Sequence, residues 1–130
     1  MPSLSINGQQ ISYLIEGEGF PLVLIPAAGG TIHDWTPALP LLGELCRVIV
    51  YEYARRPPAA HVPALSDGLL DDLVMLLHVL AVPRAYVAGY ASGGDVALRL
   101  ALQEPGRLEG LLLISPGGAA SHSSPLPWQR

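Results

Sequence analysis

Hydrophobic residues in this chain follow two rhythms that take turns. Ser3 to Ile6 and Gln10 to Ile15 carry apolar residues on either side of Asn7-Gly8. Asn-Gly tolerates positive φ at both positions, so this spacing predicts an antiparallel hairpin. Leu22–Ile25, Arg47–Tyr51, Ala85–Gly89 and Leu111–Ser115 are short, nearly unbroken apolar blocks. Such blocks suit strands buried on both faces. Between them, Trp35–Leu45, Ser66–Leu80 and Ser92–Gln103 space their apolar residues as helices do. The clearest case is Leu69, Leu70, Leu73, Leu76, Leu77 and Leu80. Ser66 is an N-cap candidate and Pro83 closes that unit, while Pro40 implies that the helix after Trp35 is short or irregular. Strand and helix alternating after a hairpin predict an α/β fold. The N-terminal β-hairpin is followed by a mainly parallel sheet of about six strands with helices on both faces. Residues 1–118 read as one domain and residues 119–130 as an irregular tail rich in Ser and Pro.

In such sheets ligands bind at the carboxyl ends of the strands. Those ends carry Pro26 to Gly30, Glu52-Tyr53, Tyr90-Ala91-Ser92 and Pro116 to Gly118. Gly89-Tyr90-Ala91-Ser92-Gly93-Gly94 lies between a predicted strand and a predicted helix, the setting of a G-x-S-x-G nucleophile elbow. The spacing puts Ala91 at the central position, and a methyl group attacks nothing.

Composition narrows the function classes. The 130 residues are half hydrophobic, with a mean hydropathy of +0.38. No apolar run approaches the roughly 20 residues that cross a bilayer. No secretory signal pattern opens the chain, so the expectation is a cytoplasmic protein without membrane association. Formal net charge is −4, and all seven basic residues are Arg without forming a stripe, which argues against nucleic acid as a partner. The single Cys46 excludes an internal disulfide and a Cys-based metal cluster, and neither metal nor cofactor is expected. Arg55-Arg56 is the only basic pair, placed in a Pro-rich loop as a solvated pair or as an anion grip beside the cleft.

Several phrases together resemble the α/β-hydrolase superfamily: Gly17 to Ile25, the Gly29-Gly30 loop with Trp35, Gly89 to Leu98, and Leu111 to Pro116. The likeness runs from about Ser3 to Gly118 and implies about half of that fold's usual length. The departures are coordinated. Pro26-Ala27 stands where the family typically has His-Gly, and Glu52 where it often has Asp. Ala54-Arg55-Arg56-Pro57 replaces an Arg-Gly-His-Gly turn. The triad's acid and His, which come later in the family, have no counterpart here. A trapping Ser-to-Ala substitution would account for Ala91 alone and not for the rest.

What the resemblance leaves is a set of dipoles. Backbone N–H groups of Ser92 and of Ala27 or Ala28 would form an oxyanion hole. Ser92 reads as a pocket group, since in some family members the side chain after the nucleophile faces the substrate, or as an N-cap. His33, in the stretch resembling the oxyanion loop, is a candidate acid or base or an exposed loop residue. The candidate catalytic residues are therefore Ser92 and His33. Candidate substrate contacts are Ala27, Ala28, Tyr53, Arg55, Arg56, Tyr90, Ala91 and Ser92. His61 and His78 read as surface and helix residues, and His122 would serve only by folding back over the cleft. Three functions follow. One is a non-hydrolytic small-molecule site (lyase, cyclase, isomerase or binder) reusing the oxyanion-hole region. Another is a non-catalytic assembly subunit or pseudoenzyme, joined as a homodimer or to a complementing chain through the Leu111–Ser115 edge. The last is a residual esterase using Ser92 with a base from a partner chain.

Overall fold

The computed structural model describes residues 2–54 and 63–114, with the side chains of residues 63–67 excepted. Arg55, Arg56, His61, the Pro116 to Gly118 end, His122, the 119–130 tail and the capping side chain of Ser66 lie outside the described residues.

Among the described residues six strands form one mixed sheet: β1 Ser3–Ile6, β2 Gln9–Glu16, β3 Pro21–Ile25, β4 Arg47–Tyr53, β5 Ala85–Tyr90 and β6 Leu108–Ile114. Their order is β1-β2-β4-β3-β5-β6. The Asn7-Gly8 turn has φ of 50° and 81°, both left-handed, and pairs Ile6 with Gln9 across an antiparallel hairpin. β2 then runs antiparallel to β4, and all later pairings are parallel. The helices among the described residues that serve the crossovers are α1 Leu39–Leu45, α2 Pro63–Val79 and α3 Gly93–Gln103. No helix among the described residues is long and apolar enough to cross a membrane.

The continuous apolar blocks become strands because both faces of the sheet are covered. On one face Val23, Ile25, Ile49, Tyr51 and Val87 pack with Leu73, Leu76 and Leu77 of α2 and Val96, Ala97 and Leu100 of α3. On the other, Leu24, Val48, Val50 and Ala88 pack with Ile32 and Leu39. Pro40 sits in the first turn of α1, where its missing N–H costs nothing, so it starts that helix instead of breaking it. The Trp35–Leu45 expectation accordingly resolves into a 3-10 turn, Ile32–Trp35, and a helix that starts only at Leu39. α2 begins three residues before Ser66, and β6 begins three residues before Leu111.

One buried polar cluster ties distant segments together. Asp72 of α2 is 6% exposed; its Oδ1 accepts from the Asn7 side-chain amide at 3.0 Å and its Oδ2 from the Tyr53 hydroxyl at 2.8 Å. The hairpin turn, the end of β4 and α2 thus share one carboxylate. Asp72→Ala removes the acceptor from two donors at once. The expected loss is about 2–4 kcal/mol, read from chemical denaturation, since each orphaned donor costs roughly 1–3 kcal/mol. A loss below about 0.5 kcal/mol, the size of an ordinary surface change, would show that the cluster is not a tie.

Candidate functional site

The chain's route past β5 sets the site. Ala91 has φ of 52°, the left-handed conformation that an L-residue adopts at a cost of roughly 1–2 kcal/mol. Its N–H is held by the Ile114 carbonyl at 2.7 Å, and its own carbonyl accepts from the Gly94 N–H at 2.9 Å. The turn is closed by two glycines that nothing larger can replace. A Cβ on Gly89 would lie 2.5 Å from the Gly93 carbonyl oxygen. One on Gly93 would lie 2.6 Å from that of Pro26 and 2.7 Å from that of Ile25. This is the backbone of a nucleophile elbow, pressed against the end of β3, with a methyl group at its apex.

β3 lies between β4 and β5, so the carboxyl ends of all three strands converge. They border a cavity of about 250 Å³, lined by Ile25 to Thr31, Tyr51 to Ala54, Leu69, Ser92, Gly93 and Val96. Of the residues expected at a ligand site, Ala27, Ala28, Tyr53 and Ser92 meet there. Tyr90 and Ala91 are not among its lining residues; the Tyr90 ring instead stands edge-on to Trp35, centroids 5.8 Å apart. His33 is exposed on the 3-10 turn, away from the cavity wall.

Ser92 occupies the N-cap position of α3, but its hydroxyl makes no capping bond. Its Oγ instead accepts the Ala28 N–H at 2.7 Å. The loop amide expected to line an oxyanion hole is therefore engaged by a side chain, and the Ser92 hydroxyl proton is the polar group offered in its place. On the neighbouring 3-10 turn Thr31 is the N-cap, and Asp34 Oδ2 takes the Thr31 N–H at 3.0 Å.

Sequence reasoning assigned no role to Glu52. It lines the cavity, and its Oε1 accepts the Ile32 N–H at 3.2 Å. A carboxylate closing an apolar strand at its carboxyl end was the available signal. Two phenols share the wall. Burial pushes both Tyr51 and Tyr53 above the ordinary value near 10, and for Tyr53 the neighbouring Tyr51 and the bond to Asp72 push the same way. Both rings are neutral at any physiological pH. Among the described residues, no group of His, Cys, Asp and Glu side chains could hold a metal ion.

This fold, with a nucleophile-elbow backbone at the carboxyl end of its β5 strand, places the chain in the α/β-hydrolase superfamily. Searched against family models, the chain matches none. It is 32% identical over 97 residues to the "Putative carbamate hydrolase RutD" of Caulobacter sp. strain K31, a match covering 72% of this chain and 36% of that protein. Among solved structures it resembles a hydrolase from Pseudomonas aeruginosa PA01 (33% identity, TM-score 0.77, 86% of this chain and 44% of the other). It also resembles the enol-lactonase from Burkholderia xenovorans LB400 (26% identity, TM-score 0.74, 85% and 45%). The chain thus spans less than half the length of these relatives.

The elbow predicts two opposite outcomes. Ala91→Gly removes a left-handed penalty and should stabilise by about 0.5–1 kcal/mol. Gly93→Ala should destabilise by several times that, because its Cβ meets backbone atoms that belong to β3. Thermal melts of the two variants check both signs, and equal melting temperatures would mean the turn is not built as described.

Proposed function

We propose that this chain builds a site for a small carbonyl compound and acts on or holds it without acyl transfer. The observation that carries this reading is the pairing of Ala91 at the elbow's apex with a Ser92 hydroxyl already bonded to the Ala28 N–H. An attacking serine needs a base within hydrogen-bond reach. Among the described lining residues there is no His or Lys, and the carboxylate present, Glu52, is bonded to the Ile32 amide and not to Ser92. An oxygen that accepts an N–H bond is the better donor for it, because hydrogen bonds in a chain polarise one another. Ser92 in this reading is a hydrogen-bond donor to the ligand's carbonyl oxygen, helped by the Ser92 and Gly93 amides where α3 begins. The names of the relatives support the ligand class, since carbamates and enol-lactones both present a carbonyl.

Incubation with 4-nitrophenyl acetate should leave the protein's mass unchanged. An acetyl group on Ser92 would overturn the reading and favour the residual esterase, with its base supplied by a partner chain.

A second reading rests on a different observation. Among the described residues β6 is at the edge of the sheet, yet it is apolar on both faces, with Leu111, Leu112 and Leu113 at 39%, 58% and 47% exposure. Leu98 and Leu102 of α3 are exposed as well, and they follow Gly94, which faces Leu113, at helical spacing. A strand with this sequence is built for the interior of a parallel sheet, and an apolar edge invites pairing. Its occupant in this reading is a further α/β segment continuing the sheet, as relatives with more than twice the matched length have chain to supply. The surface then belongs to an assembly. Light scattering should report a complex or self-association at micromolar concentration that Leu112→Lys disrupts. A strict monomer with no affinity for a hydrophobic dye would rule the reading out.

A further inference from the structure

Within that carbonyl site the geometry points to Glu52 as the general base, and to proton transfer at a carbon next to the ligand's carbonyl as the reaction. This rests on the reading of Ser92 as a carbonyl donor and adds the group that would do chemistry.

One loop holds both partners. The Ala28 amide, early in the loop after β3, donates to Ser92 Oγ, while the Ile32 amide four residues later donates to Glu52 Oε1. Ser92 arrives from the β5 side of β3 and Glu52 from the β4 side. A carbonyl compound seated over the end of β3 therefore has a donor on one flank and a carboxylate on the other. Each is fixed by a backbone bond that costs the ligand nothing to organise.

Elimination leads to the same residue. Of the described side chains lining the cavity, the titratable ones are Glu52, Tyr51 and Tyr53. Both phenols hold their protons far too firmly to act as bases, and the Tyr53 hydroxyl is already spent on Asp72. Glu52 Oε2 has no hydrogen bond among the described residues and is the oxygen left to take a proton.

The step balances without a co-reactant. The C–H bond beside the carbonyl breaks and its proton goes to Glu52 Oε2. The electron pair forms the C=C of an enolate, and the negative charge on oxygen is met by the Ser92 hydroxyl. Once the proton on Glu52 has traded with solvent, delivery back to the same carbon gives hydrogen exchange; delivery to another carbon gives an isomer. Nothing is oxidised, reduced or hydrolysed, so the nucleophile missing at Ala91 is not needed. At about 250 Å³ the cavity lies just below the range of roughly 300–1,000 Å³ usual for drug-sized ligands, which suits a small substrate.

The test uses 2-butanone and cyclopentanone as probes in deuterated buffer. Proton NMR follows loss of the signals beside the carbonyl, and saturation transfer reports binding. The full chain should accelerate exchange over buffer. Glu52→Gln keeps an oxygen for the Ile32 amide; it should still bind the ketone but lose about 100-fold or more of the exchange rate, the usual share of a general base. Glu52→Asp should recover part of it. Binding without exchange in the unmodified chain, or exchange unaffected in Glu52→Gln, overturns the assignment of Glu52 and leaves the carbonyl site standing. Ser92→Ala altering neither binding nor exchange overturns the donor role instead. A chain that neither binds nor exchanges either ketone overturns both.

Discussion

The close approach of the turn after β5 to the end of β3 is the constraint on which the site depends. Gly93 touches the carbonyls of Ile25 and Pro26, and Gly89 has no room for a Cβ beneath Gly93 and Gly94. Only a left-handed residue at Ala91 reverses the chain sharply enough to make that contact. Once it is made, Ser92 is delivered beside Ala28, α3 starts at the cavity wall, and the loop after β3 is held against both. The strain at Ala91 is a modest local cost. It persists because the sheet pairing of β3, β5 and β6 and the backbone bonds at Ala91 over-determine the turn.

The same backbone that presents a nucleophile in a triad enzyme presents something else here. With a methyl group at the apex, the polar content of the cavity comes from its flanks: a hydroxyl bonded to one loop amide and a carboxylate bonded to another. Below it, the Asp72 cluster fixes Tyr53, and with it the cavity's wall, to the N-terminal hairpin and to α2. Rigid elements thus carry every group the cavity offers, as a site that works through positioning requires. Among the described residues, the exposed leucines of β6 lie at the sheet edge opposite the hairpin.

Much of the fold was legible because its signals are local. The Asn7-Gly8 turn, the apolar blocks of β3 to β5 and the leucine spacing of α2 each depend on a few neighbouring residues, and each element formed where expected. The boundaries shifted where context intervened. Pro40 starts α1 because its lost N–H falls in the first turn, and β6 gains Leu108 to Gly110 through pairing with β5 that no local pattern announces. The site was legible in part. Ala27, Ala28, Tyr53 and Ser92 were placed at strand ends by topology alone, and they meet in the cavity. Tyr90 followed the same rule and turned to Trp35, since an aromatic ring packs where an edge is offered.

By itself the sequence determined the order of elements, the parallel sheet and the absence of a nucleophile at Ala91, because periodicity, turn chemistry and residue identity are properties of short stretches. Which polar atoms pair was decided only in three dimensions. Ser92 takes the Ala28 amide, Glu52 takes the Ile32 amide, and Asp72 takes Tyr53 and, across 65 residues of chain, Asn7. Hydrogen bonds need atoms within about 3 Å, and no spacing along the chain specifies which distant loops the sheet will bring that close.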